Sequence, residues 1–163
     1  VFTSARFRGC VEKGTPKALM DFHARHKLLL MGYNQAAMRR LGRIVASPAP
    51  IEERMRDYSA ELGTALRRPP NCRSSNNVLM HAMGYFSERL EVREKQHFLR
   101  SLDLYAEGKL PLSAPLLMVR SWALRYEEDY LLQQVLFEPY PEEFMGLLGT
   151  EACTGRDLWE GVR

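Results

Sequence analysis

Cysteine is scarce in this sequence: Cys10, Cys72 and Cys153 are the three among 163 residues. They are odd in number and far apart, and no Cys-x-x-Cys pair occurs. That argues against a disulfide framework, a zinc ribbon and a self-contained iron–sulfur site, and in favour of reduced thiols. Long apolar runs are missing too. Leu28 to Met31 is one of the longest candidates, far below the roughly 18 residues that a membrane helix needs. The opening Val1-Phe2-Thr3-Ser4-Ala5-Arg6 has no apolar core segment and no initiator Met, so an export signal is not expected and a piece of a longer protein is. No Gly-x-Gly-x-x-Gly, Walker loop or Gly-x-Ser-x-Gly elbow appears, which removes those phosphate cradles and that nucleophile. Alternating β-branched runs are absent as well, so strands are not expected.

What is present is a core and a lopsided charge. Apolar residues make up 45% and charged residues 26%, the balance of one globular domain. Residues 1–73 carry 14 Lys+Arg against 6 Asp+Glu, and residues 74–163 carry 9 against 14. The net charge of +3 therefore hides a basic first half and an acidic second half. Arg outnumbers Lys 18 to 5, and Arg is the cation suited to bidentate phosphate contacts and to stacking on bases.

Helix signals run through the chain and predict one all-α domain, a compact bundle of about seven to eight helices. Residues 1–14 read as a linker or an N-terminal helix. Thr15 and Pro16 open a helix to about Gly32, and Asn34 caps a second through Ala46. Pro50 starts a third, to about Leu66. Ser74 or Ser75 caps a fourth, Asn76 to about Leu90. A fifth runs from about Val92 to Glu107 and stops at Gly108. A sixth spans Ser113 to Tyr126, a seventh runs from Asp129 to near Phe137, and a short eighth begins at Pro141. The helical domain is drawn at 15–148, with 149–163 a tail holding a last turn around Trp159.

Polar groups interrupt two apolar faces. Leu19, Phe22, His26, Leu30 and Tyr33 share a helical stripe, with His23 at its edge. The His23-x-x-His26 spacing could serve a metal, but no carboxylate stands at ligand spacing, and a metal site is not assigned. Asn77, His81, Gly84 and Glu88 line one side of the fourth helix. His23, His26, Asn77 and His81 are therefore the candidate polar pocket. Arg39, Arg40 and Arg43 sit on one helix, and Arg67, Arg68 and Arg73 precede the fourth helix's start, where basic side chains beside a positive dipole end suit a polyanion. No recognition helix or aromatic RNA motif is visible, so contact with RNA shape is expected rather than base-specific DNA reading.

Several words occur in a familiar order: Phe22-His23-Ala24-Arg25-His26-Lys27, Arg40-Leu41-Gly42-Arg43-Ile44-Val45-Ala46, Asn77-Val78-Leu79-Met80-His81-Ala82-Met83-Gly84-Tyr85-Phe86, Glu94-Lys95, Pro111-Leu112 with Pro115, and Pro139-Tyr140-Pro141. From about Lys17 to Phe144 the chain resembles the YbgA-like bacterial domain of unknown function. Members of that family occur alone or fused behind an iron–sulfur desulfidase domain of the thiouracil desulfidase type, implicated in removing sulfur from 4-thiouridine in tRNA. The resemblance implies a cytoplasmic, non-catalytic domain that holds tRNA or another structured RNA. It implies a desulfidase domain in cis or in trans as partner, no membrane, and no cofactor in this chain, the iron–sulfur cluster belonging to the partner. Phosphate contacts are then expected from Arg25, Lys27, Arg39, Arg40, Arg43, Arg67, Arg68 and Arg73. Two rivals stand beside it: a small enzyme in its own right, if His23, His26 and His81 converge on a base or metal, and a protein-interaction module, if a large apolar patch is exposed.

Overall fold

The computed structural model describes residues 2–138. Among them are seven helices and no strand: α1 (Phe2–Lys13), α2 (Pro16–Ala46), α3 (Ile51–Ala65), α4 (Cys72–Gly84), α5 (Val92–Ala106), α6 (Ser113–Arg125) and α7 (Asp129–Leu132). The expected eighth helix at Pro141, the tail and the turn around Trp159 lie outside the described residues.

Of the two readings for the start of the chain, the helix is what forms. Phe7 is buried in the core and stacks on Tyr58 with ring centroids 5.3 Å apart. Gly14, at φ +58, ends α1 in the left-handed conformation that favours glycine. Thr15 Oγ1 then accepts from the Ala18 amide at 3.2 Å, and Pro16 fills the first helical position. Two residues thus reverse the chain and set α1 against α2.

The continuous run α2 is two arms. Asn34 leaves helical geometry (φ −160°, ψ 100°), and its Oδ1 accepts from the Ala37 amide at 2.9 Å. The side chain caps the second arm, as its position in the sequence predicts. The bend is steep. His23 and Gly42 lie about 16 Å and 12 Å along their arms from Asn34 at 1.5 Å per residue, yet a Cβ on Gly42 would stand 3.3 Å from His23 Nε2. The arms fold back on one another as a helical hairpin. Replacing Asn34 with Ala should cost about 1 kcal/mol of stability, read as a shift in urea midpoint.

α3 packs along the second arm in antiparallel fashion, held by Arg54 Nη2 donating to Val45 O and by Arg40 on Glu61. α4 crosses α2 at Gly32, where a Cβ would meet Val78 Cγ2 at 3.5 Å. Leu19, Leu30, Leu41, Tyr58, Ala82, Phe86, Phe98, Val119 and Leu131 are completely buried at the centre.

Three boundaries differ from expectation. α4 begins at Cys72, because Asn71 rather than Ser74 or Ser75 is the cap: Asn71 Oδ1 accepts from the Ser74 amide at 2.8 Å, and the Asn71 amide donates to Ser74 Oγ at 3.1 Å. It ends at Gly84 rather than Leu90, since residues 85–90 form turns that carry Phe86 inward. α7 stops at Leu132 rather than Phe137, because Gln134 and Val135 bond to α2 instead of continuing a helix.

Candidate functional site

The candidate site is a groove of about 920 Å³ between α1, the first arm of α2 and residues 132–138. Its size suits a small-molecule ligand. α1 contributes Arg6, Gly9, Cys10 and Lys13, spaced i, i+3, i+4, i+7 on one face. α2 contributes Lys17, Asp21, Arg25 and His26. The far end is fixed by Gln134. Its Nε2 donates to Ala24 O at 2.8 Å, its Oε1 accepts from the Leu28 amide at 3.1 Å, and the Val135 amide donates to Arg25 O at 2.9 Å. Ala24 O and Leu28 N–H are the two groups that an uninterrupted helix bonds to one another, so the carboxamide is fitted into the backbone of α2.

His26 is 3% exposed and lies flat on Phe22, ring centroids 3.9 Å apart. Its Nδ1 donates to Phe22 O at 2.8 Å, which fixes the tautomer and leaves Nε2 a bare acceptor. Burial, with Arg6, Arg25 and His23 adding positive charge, pushes the ring down to about 4, against the Phe22 carbonyl bond, so it is neutral at pH 7. Nε2 has no hydrogen-bond partner, and neither does the buried Nη1 of Arg6. Buried polar atoms without partners are uncommon, and here a donor and an acceptor stand unmatched on two residues that line one groove.

The four candidate pocket residues do not share a cavity. Of them only His26 lines the groove. His23 faces the seam between the two arms of α2, its Nδ1 hydrogen-bonded with the Tyr58 hydroxyl at 3.0 Å, and burial with Lys27 nearby pushes it down to about 4 as well. Asn77 and His81 are exposed on α4. His81 stands edge-on to Tyr85, whose ring stacks on Tyr130 at 5.5 Å. The three imidazoles of the enzyme reading therefore point to separate surroundings. Among the described residues no three of His, Cys, Asp and Glu gather at metal-binding spacing.

Seven of the eight candidate phosphate contacts fall in three places. Arg25 lines the groove. Lys27, one turn beyond His23, and Arg39 and Arg43, flanking Gly42, border the seam of the α2 hairpin and are exposed. Arg67, Arg68 and Arg73 are exposed between α3 and the first turn of α4. Arg40 differs from the expectation: its Nε and Nη2 hold Glu61 Oε1 at 3.0 and 2.8 Å, so its guanidinium is already engaged. None of the other seven is ion-paired among the described residues. No ion pair there joins the basic half to the acidic half. Sequence reasoning missed Arg6, Lys13 and Lys17 as site residues, although the periodic face Arg6, Gly9, Cys10, Lys13 was there to be counted.

With this geometry in place, comparison with known proteins is informative. Residues 27–141 match the family model described as Protein of unknown function (DUF1722). The chain belongs to that family. It is 33% identical over 130 residues to the Uncharacterized protein YbgA of Escherichia coli (strain K12), an alignment covering 78% of this chain and 77% of the relative. No solved structure matches it. The family match opens one residue after His26, so the α1 and α2 walls of the groove and His23 lie outside it, while Lys27, the second arm of α2 and the α3–α4 loop lie within. No helix among the described residues is long and apolar enough to cross a membrane.

Proposed function

We propose that this chain is an RNA-binding accessory domain, with tRNA as its RNA and an iron–sulfur desulfidase, fused or separate, as its catalytic partner. The observation that carries the RNA part is the set of exposed cations without carboxylate partners among the described residues: Arg25, Lys27, Arg39, Arg43, Arg67, Arg68 and Arg73. Unpaired guanidinium groups are free to displace counterions from a phosphate backbone, and among the described residues the acidic half does not pair with them. The half-exposed stack of Tyr85 on Tyr130 offers an aromatic face on which an unpaired base can lie. The desulfidase partner rests on the family resemblance alone.

The test is filter binding of tRNA to the purified chain at two ionic strengths. If about six of these cations contact phosphates, affinity should fall roughly a thousandfold between about 50 and 200 mM salt. The variant carrying Arg39→Ala and Arg43→Ala should bind more weakly and lower the log–log salt slope by about two. Absence of tRNA binding, or binding that ignores salt, refutes the reading.

A further inference from the structure

We infer that the groove between α1 and α2 is a nucleotide site, in which cationic side chains hold the phosphate while Arg6 and His26 read the edge of the base. Where the nucleotide belongs to an RNA strand, the groove rests on the RNA reading above; a free mononucleotide would occupy it through the same contacts.

Three observations converge on it. The first is charge. Arg6, Lys13, Lys17 and Arg25 line the groove, and none of them is ion-paired among the described residues. Against them stand Glu12, Asp21 and Glu138, and Glu138 is turned to Arg120 at 3.5 Å. The balance is positive, which selects an anion. The second is hydrogen bonding. An anion alone would leave the bare acceptor at His26 Nε2 unmatched, because Nδ1 already carries the ring proton. A ligand that engages both residues brings a donor for His26 Nε2 and an acceptor for Arg6 Nη1. Nucleobases present a donor beside an acceptor on one edge, and a nucleobase joined to a phosphate through a pentose is a nucleotide. The third is space. Gly9 sits mid-helix in the wall, where glycine costs about 1 kcal/mol relative to Ala, and a Cβ built on it meets nothing within 4 Å. The position faces open space in the wall and serves no close helix contact.

That open space supplies the test. Gly9→Phe should project a ring into the groove without touching the core, leaving the thermal midpoint equal or higher. Arg6→Met, which keeps the aliphatic stem, is the second variant. Calorimetric titration of the whole chain would use uridine and adenosine 5′-monophosphate, with inorganic phosphate as control, alongside tRNA binding at low salt. Mononucleotide binding that falls at least about tenfold in both variants, the loss expected when a charge-assisted hydrogen bond or the space itself is removed, supports the site. It does so even if tRNA is not bound, in which case the RNA reading alone fails. Full tRNA affinity in Gly9→Phe with no mononucleotide binding overturns the groove while the RNA reading stands. A tenfold loss of tRNA affinity in both variants with free nucleotides unbound assigns the site to RNA-borne nucleotides. Inorganic phosphate binding as tightly as the nucleotides refutes the role given to the base.

Discussion

Acidifying the protein from pH 7 to pH 4 should remove on the order of 3 kcal/mol of folding free energy through His26, and a similar amount through His23. Both rings are pushed down to about 4 inside the fold, by burial first and by neighbouring cations second: Lys27 for His23, and Arg6 and Arg25 for His26. In the unfolded chain each titrates near 6.5. Between those values the unfolded state holds more protons, so every step downward in pH favours unfolding. The stabilisation is complete above about 6.5 and gone below about 4. Tyr58, which faces His23, is held protonated far above this range by its own burial and takes no part in the titration. The sum is a large share of the roughly 5–15 kcal/mol that holds a typical domain together. Urea melts at stepped pH measure the slope, and proton NMR of the ring hydrogens measures its cause. The expected spectrum shows the His26 ring unmoved until pH falls close to 4. A His26 resonance that titrates near 6.5 would sink this account.

Gln134→Leu should cost about 3 kcal/mol, although leucine is of similar volume and apolar. Gln134 is 2% exposed and serves Ala24 O and Leu28 N–H at once, with Tyr130 O a further acceptor at 3.4 Å. Removing a buried partner exacts about 1–3 kcal/mol for each group left unmatched, and α2 recovers part of this if Leu28 N–H returns to Ala24 O. The urea midpoint should drop with an unchanged slope. Hydrogen exchange at the Val135 amide, which donates to Arg25 O, should accelerate as the segment loosens. A loss under about 1 kcal/mol would show that the carboxamide is only a space filler.

Much of the fold was legible along the chain. Thr15-Pro16, Asn34 and Gly108 mark helix ends by local chemistry, and Asn34 does so even where helical geometry resumes at once after it. The buried stripe Leu19, Phe22, His26, Leu30 was readable by period. Errors arose where distant groups decide. Gln134 ends the helical pattern of α7 because its partners lie 106 and 110 residues away on a backbone that no sequence window contains. The Asn71 cap is a local exception: it forms a reciprocal pair with Ser74 three residues on, a capping box that a short window contains. The site was legible in its cations and opaque in its grouping. Helical spacing places His23 and His26 near one face, but only the packing of α3 and α1 sends one ring to Tyr58 and leaves the other in the groove.

Because Gln134 and Val135 clasp Ala24, Arg25 and Leu28, the groove is finished only when both ends of the described chain meet. Closing a loop of that length costs only slightly more entropy than closing a short one, but it delays the event. During synthesis the α1–α2 hairpin emerges early, while its clasp leaves the ribosome more than a hundred residues later. A nascent or truncated chain therefore carries an incomplete pocket, and ligand affinity becomes a readout of whether translation has reached the clasp.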